Sequence, residues 1–134
     1  MKITRKGEYA CLALVDLSEN YNKGLVTTAD ISKRKKIPKK YLEQILLLLK
    51  TGGYLRSMRG LKGGYMLSKP PGDISVAEIL RLIDGPLAPV GSVSKYFYES
   101  TPIESNKELM NLFREVRKCI VNKLERTTFA DLIA

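Results

Sequence analysis

Thr27-Thr28-Ala29-Asp30-Ile31-Ser32-Lys33-Arg34-Lys35-Lys36-Ile37-Pro38-Lys39-Lys40-Tyr41-Leu42-Glu43-Gln44-Ile45-Leu46-Leu47-Leu48-Leu49-Lys50 reads as two short helices joined by a tight break. Thr27, with Asp30 three residues on, is a capping-box-like start, because a cap hydroxyl satisfies a free amide of the first turn. The first helix is predicted to reach about Lys35, with Ile31 facing inward. Ile37-Pro38 marks the break, and proline suits the first turn of a new helix, where its missing N–H would have no partner. The second helix is predicted over Pro38 to about Lys50. Leu42, Ile45, Leu46 and Leu49 form its buried stripe, and Lys39, Lys40, Glu43 and Gln44 lie mostly away from it. Gly52-Gly53 ends it.

Working outward, Tyr54-Leu55-Arg56-Ser57 and Tyr65-Met66-Leu67 are short strand-like pieces. Between them Met58-Arg59-Gly60-Leu61-Lys62-Gly63-Gly64 is glycine-rich and basic, which predicts a hairpin with an exposed cationic tip. Upstream, Thr4 is expected to cap a helix running to about Glu19, with Ala10, Ala13, Leu14 and Leu17 on one apolar face. Downstream, Pro70-Pro71-Gly72 is a linker. Ser75 and Glu78 form a capping box that opens a helix with Val76, Ile79, Leu80 and Ile83 inward, and Gly85-Pro86 closes it. Residues 86–103 are predicted as loop. Ser105 and Glu108 suggest a further capping box for a long helix to about Arg126, with Leu109, Leu112, Phe113, Val116, Ile120 and Leu124 on one stripe. Thr128 and Asp131 then cap a last turn from Phe129 to Ile133.

Charge is divided unevenly along the chain. Residues 1–67 hold 14 lysines and arginines against 5 acidic residues, an excess of nine, and residues 68–134 hold nine of each. The whole net charge of +9 therefore belongs to the first half. A polyanion is the natural partner of such a half, through phosphate contacts and counterion release. An anionic membrane surface is the competing partner, but it calls for a basic helix with a wide exposed apolar face, and the first-half helices need theirs for the core. There are two cysteines, Cys11 and Cys119, and no histidine. That is too few for a disulfide framework, and it removes the commonest metal ligand and general base. No apolar run reaches the roughly 18 residues of a spanning helix, and the basic start Met1 to Lys6 lacks the long apolar stretch of a signal peptide. The expected setting is cytoplasmic and reducing. No nucleophile motif or pair of catalytic carboxylates is visible, so an enzyme is not expected.

Two short helices followed by a basic hairpin is the order of a winged helix-turn-helix. The second helix of such a pair is narrow enough for the major groove, and its N-terminal residues meet base edges and phosphates. Here these are Lys39, Lys40, Tyr41 and Gln44. Lysine neutralises phosphate or donates to guanine, and glutamine pairs bidentately with adenine. Arg59 and Lys62 would lie at the hairpin tip, near the adjacent backbone or minor groove, and Thr28 is grouped with these DNA-binding positions. Plainer readings stand beside these. The run Lys33-Arg34-Lys35-Lys36 is equally a solvated face, and Tyr41 is equally a core or rim residue. Gly60, Gly63 and Gly64 lack the order of a nucleotide-cradling loop.

The sequence also resembles a known family, the bacterial and archaeal regulators that include the iron–sulfur cluster regulator, the nitric-oxide-sensitive repressor and the cysteine-metabolism repressor. The resemblance is carried by Met1-Lys2-Ile3-Thr4-Arg5-Lys6-Gly7-Glu8-Tyr9-Ala10, by Ile37-Pro38-x-x-Tyr41-Leu42-Glu43-Gln44, and by Arg59-Gly60-x-x-Gly63-Gly64-Tyr65. Ile74 to Gly85, with Pro86-Leu87-Ala88-Pro89-Val90, and Thr127-Thr128-Phe129-Ala130-Asp131-Leu132 extend it over nearly the whole chain. It implies a homodimeric winged-helix regulator on a palindromic operator, with the long helix crossing its partner. It implies DNA contacts at Tyr41, Gln44 and Arg59, with Lys39 and Lys40 in places often held by small polar residues.

The resemblance breaks at one place. Cluster-binding members carry three cysteines in the loop before the long helix, and Gly91 to Ile103 has none. A cluster needs soft thiolate ligands, usually four, so no iron–sulfur cluster, metal or other cofactor is expected. The cysteine-metabolism repressor branch senses through a partner enzyme, and the signal here is expected to enter through such an enzyme or a small-molecule effector. The aromatic loop Tyr96-Phe97-Tyr98 suits a ligand, a partner or the other subunit, and equally plain packing. The expectation is a mainly α protein with a small β-hairpin wing. Residues 1–72 form the DNA-binding winged helix-turn-helix, and residues 73–134 form a linker helix, a loop and a dimerisation helix. The function expected is sequence-specific transcription regulation, most simply repression, by a homodimer on double-stranded DNA. The alternative is a protein-interaction module that binds a metabolic enzyme or another regulator.

Overall fold

Six helices and one hairpin follow one another along the chain, and the computed structural model describes residues 1–134. Helix α1 (Arg5–Glu19) starts where Thr4 accepts a hydrogen bond from the Gly7 amide at 3.0 Å. Helix α2 (Thr28–Lys35) starts where Thr27 accepts from the Asp30 amide at 3.1 Å. The return half of that cap is not made. Lys36 then adopts a left-handed conformation (φ 54°), which for a residue with a side chain costs energy. The turn is closed twice over by Ser32 and Ile37: the Ile37 amide donates to the Ser32 carbonyl at 3.1 Å, and the Ser32 hydroxyl donates to the Ile37 carbonyl at 2.6 Å.

Helix α3 (Lys39–Thr51) begins one residue later than expected. Pro38 is the extended cap (ψ 128°), not the first helical residue, and its carbonyl accepts from the Leu42 amide. Strands β1 (Leu55–Met58) and β2 (Gly64–Leu67) pair antiparallel, Leu55 opposite Leu67 and Met58 opposite Gly64. Val26 adds a bridge to Tyr65 through two 2.8 Å bonds, which ties the hairpin to the segment just before α2. At Gly64 a Cβ would lie 2.6 Å from the Val26 carbonyl oxygen, so only glycine permits this approach. Gly60 turns the tip with φ +109°.

Helix α4 (Val76–Asp84) has the expected full capping box between Ser75 and Glu78. Two short 3₁₀ turns, Gly91–Val93 and Pro102–Ser105, punctuate the following loop. Helix α5 (Lys107–Arg126) corrects a second expectation: Asn106, not Ser105, is its cap. Ser105 belongs to the 3₁₀ turn, and its hydroxyl donates to the Pro102 carbonyl, which removes it as a cap. Helix α6 (Phe129–Ile133) is short and capped reciprocally by Thr128 and Asp131.

One cluster of 16 buried residues holds the molecule together. It takes Ala10, Ala13, Leu14 and Leu17 from α1, Ile31 from α2, and Leu42, Ile45, Leu46 and Leu49 from α3, the stripes that the periodicity predicts. It also contains Ile74, Ile79 and Phe129. The expected boundary after Gly72 therefore does not divide the core. The Val76 amide donates to the Thr127 carbonyl and the Phe129 amide to the Ile74 carbonyl, so α4 and α6 close the same core from below α1. Ile79 of α4 and Phe129 of α6 thus belong to the same buried cluster as α1, α2 and α3.

Helix α5 has two apolar faces where one stripe was expected. Met110 is buried and Phe113 packs beside it against Ala88 and Val93. Val121 and Leu124 pack against Ala77, Leu80 and Leu87. Leu109, Leu112 and Val116 remain exposed, and Ile120 is half-buried. So Phe113 and Leu124 turn toward their own chain, and the others of the expected stripe form an open strip.

Candidate nucleic-acid interface

The residues predicted to meet DNA come from three elements. Lys39, Lys40, Tyr41 and Gln44 are all exposed on the first turns of α3. Burial of Leu42, Ile45, Leu46 and Leu49 forces them outward, since a helix that sinks one stripe must present the opposite one. Lys40, Gln44 and Leu47 recur at i, i+4 and i+7 and so make one outward row. Lys40, Tyr41 and Gln44 line a shallow concavity at its start. Leu47 reaches a larger cleft of about 470 Å³ between α3 and the wing.

Thr28 and Arg59, remote in sequence, line that larger cleft together with Lys50 and Ser57. The Val26–Tyr65 bridge places the start of α2 beside the hairpin and so brings Thr28 to Arg59. Lys62 stands exposed at the tip and does not line the cleft. Leu47, Lys50 and Ser57 were not singled out from sequence. The i+7 relation of Leu47 to Lys40 is the signal that finds the first. Lys50 and Ser57 depend on where the wing folds back.

Tyr41 is half exposed and packs at a tilt against Tyr9 of α1, ring centroids 5.8 Å apart. Tyr41 therefore leans on the fold and still shows a face to solvent. The basic run of α2 is divided. Arg34 pairs with the buried Asp16 and Lys35 with Glu19 at 3.0 Å. Lys33 and Lys36 are exposed and form no ion pair. Cation density at the interface rests on Lys39, Lys40, Lys50, Arg59 and Lys62, none of which is in an ion pair within 4.0 Å.

Comparison with known proteins gives these elements a context. Residues 3–134 match the family model Rrf2, described as an iron-dependent transcriptional regulator. An Rrf2-like HTH-type transcriptional regulator of Rhodobacter capsulatus is 35% identical, over 98% of this chain and 92% of its own length. The HTH-type transcriptional regulator CymR of Bacillus subtilis is 29% identical over 98% and 89%. Among solved structures, the chain resembles CymR, the global cysteine regulator of B. subtilis, with a TM-score of 0.80 at 27% identity, covering 99% and 96% of the two chains. It resembles a transcriptional regulator from Listeria innocua with a TM-score of 0.85 at 30% identity, covering 99% and 86%.

This chain's donors do not fit the iron in the family's description. The Cys11 thiol is pushed up to about 11 by burial and by the Asp84 carboxylate, the opposite of a thiolate ligand. Cys119 stands alone and exposed on α5. No three histidine, cysteine, aspartate or glutamate side chains converge. The loop from Gly91 to Ile103 offers hydroxyls and a carboxylate, which are hard donors unsuited to a cluster. No helix is long and apolar enough to cross a membrane. The relatives are regulators and not enzymes. On its matched length, its winged helix-turn-helix and its relatives, the chain belongs to the Rrf2 family and is a DNA-binding transcription regulator.

Proposed function

We propose that the protein is a cytoplasmic homodimeric repressor that reads a palindromic operator without a metal cofactor. Helix α3 lies in the major groove, with Gln44 and Lys40 toward base edges and Lys39 toward phosphate. The wing lies along the neighbouring backbone or minor groove, with Arg59 lining the cleft that it shares with α3. The observation that carries this reading is the continuous row Lys40, Gln44, Leu47 leading into the cleft that Thr28 and Arg59 share. It sets a groove-reading helix and a cationic wing side by side, which DNA recognition requires.

The dimer rests on the strip left open on α5. Leu109 and Leu112 are 41% and 50% exposed on a 20-residue helix. Toward the other end of the same helix, Ile3, Leu12, Val15 and Leu124 line an apolar groove of about 360 Å³. A second copy of the chain covers both at once in an isologous contact. Two copies then present their α3 helices one helical turn of DNA apart, about 34 Å, as half-sites require. The signal enters through a small molecule or a partner enzyme, for which the exposed Tyr96, Phe97 and Tyr98 offer a surface.

The test is selection of bound sequences from random duplex DNA with metal-free protein at near-physiological salt. Recovery of a two-fold symmetric sequence is expected. Tight association with a partner enzyme, and no enriched sequence, would favour the interaction-module reading instead.

A further inference from the structure

A second cleft shares no residue with those that line the candidate nucleic-acid interface. It measures about 370 Å³, within the range of small-ligand sites, and is lined by Ser92, Tyr98, Glu104, Lys107, Met110 and Arg114. Lys107, Met110 and Arg114 stand at i, i+3 and i+7 on α5, one above another on one face. The opposite wall is the loop that precedes α5.

The loop is held in place by its own bonds. The Gly91 carbonyl accepts from the amides of Ser94 at 3.2 Å and Glu99 at 3.1 Å. A Cβ on Gly91 would sit 2.9 Å from the Glu99 Cβ, so the two ends of the loop close as far as glycine allows. The buried Ser92 hydroxyl accepts from Thr101 at 2.6 Å and donates to the Met110 sulfur at 3.5 Å. Met110, 7% exposed, is the apolar floor.

The charges in the cleft are unbalanced. The Glu104 carboxylate accepts from the Tyr98 hydroxyl and from Ser100 at 3.0 Å. These donors hold its carboxyl below the usual range, so it is anionic at neutral pH. Lys107 and Arg114 are in no ion pair, and the only side-chain hydrogen bond of Arg114 is a 3.3 Å contact to Asn111. Two cations without an ion-pair partner and one carboxylate thus line the same cleft, with Met110 as its apolar floor. A bare carboxylate ligand would satisfy the cations and face Glu104 unfavourably. A bare amine would do the reverse. A small molecule with both groups meets each with its opposite through charge-assisted hydrogen bonds.

We propose that this cleft is the regulatory site and that it takes a free α-amino acid, its carboxylate between Lys107 and Arg114, its ammonium on Glu104 and its side chain over Met110. This deepens the regulator reading above and rests on it for its consequence. The cleft occupies one face of the first two turns of α5. Leu109, Leu112 and Val116, the proposed dimer strip, occupy the face beside it, so occupancy bears on how the two copies meet.

The test is calorimetric titration of the full chain with each of the common L-α-amino acids. Any that binds is followed by its deaminated carboxylic acid and its decarboxylated amine. The expected result is saturable binding of at least one amino acid, at least about tenfold tighter than either truncated analogue. Lys107→Ala and Arg114→Ala should each weaken it by a similar factor, and Glu104→Gln should remove the preference for the amino acid over the deaminated acid. These side chains are exposed, and unchanged circular dichroism checks the fold of each variant. No binding by any amino acid, equal binding of a truncated analogue, or indifference to all three substitutions overturns the proposal. Titration needs no operator: amino-acid binding with no DNA selectivity would sink the regulator reading and leave the site, and DNA selectivity without amino-acid binding would do the reverse.

Discussion

The guanidinium of Arg34 grips the carboxylate of Asp16 through two parallel hydrogen bonds, Nε and Nη2 each at 2.8 Å. The carboxylate is almost wholly buried (2% exposed) and the guanidinium half exposed (47%). The pair ties α2 to α1. The bonded carboxylate raises the Arg34 pKa above its ordinary value, so the guanidinium stays charged. Removing Arg34 strands a buried charge, whereas removing Asp16 frees a guanidinium that reaches water. Arg34→Ala is therefore expected to cost about 2–3 kcal/mol of stability, at or just below the range for a fully buried pair because the arginine is half solvated. Asp16→Ala is expected to cost less. Denaturant titration of both variants measures the order, and the reverse order would contradict this account.

The same pair makes a prediction about DNA. Because Arg34 is already neutralised, Arg34→Ala should leave the slope of log affinity against log salt unchanged. Lys39→Ala should lower that slope by about one if Lys39 holds a phosphate. Equal slopes in both variants would remove Lys39 from the phosphate contacts.

We propose that Gln44 reads a base edge in the major groove and that Arg59, on the wing, reads the minor groove beside it. Each alanine variant should lose about 1–3 kcal/mol on the selected operator and much less on random duplex. Equal losses on both would make the residue a phosphate contact only.

Leu112 and Val116 should matter for assembly and little for the fold of one chain. Leu112→Glu with Val116→Glu is expected to give a folded monomer by sedimentation, with operator affinity reduced to that of a half-site. A dimer that survives both charges places the interface elsewhere. Truncation after Ile103 is the poorer experiment, since it removes Phe129 from the main core.

Cys11 supplies a pH dependence. Its thiol is raised from 9.0 to about 11 in the fold, so the unfolded chain loses this proton first as pH rises. Between pH 9 and 11 the folded state holds the extra proton, and stability should fall by about 1.4 kcal/mol per unit from this group. Below pH 9 both states are protonated and the group has no effect. Denaturation of Cys11→Ala should show a shallower alkaline slope than the parent chain, and an identical slope would remove Cys11 as its source. At neutral pH the exposed Cys119 should alkylate much faster than Cys11.

How much of this was legible in the residues varies with range. The starts of α1, α2, α4 and α6 were readable because a cap acts across three residues, as Thr4, Thr27, Ser75 and Thr128 each do. The buried stripes were readable because helical periodicity is local, and with Leu42, Ile45, Leu46 and Leu49 inside, Lys40 and Gln44 had to be outside. The start of α5 was misread at Ser105 because the Pro102 turn competes for the same hydroxyl, and a pattern of spacings does not rank competitors.

Everything that joins distant segments was decided by tertiary packing. Nothing near Arg34 marks it as the partner of Asp16, 18 residues away, nor as different from its neighbour Lys33. Phe129 entered the core because α6 docks against α1. The stripe on α5 parted because only one side of that helix finds neighbours in its own chain. The charged cleft beside it exists because a loop closed at Gly91 folds back on Met110. Caps and periodicity record energies between residues within a turn or two of one another. Which face meets which helix is a sum over contacts between segments far apart in the chain, and only the folded structure evaluates that sum.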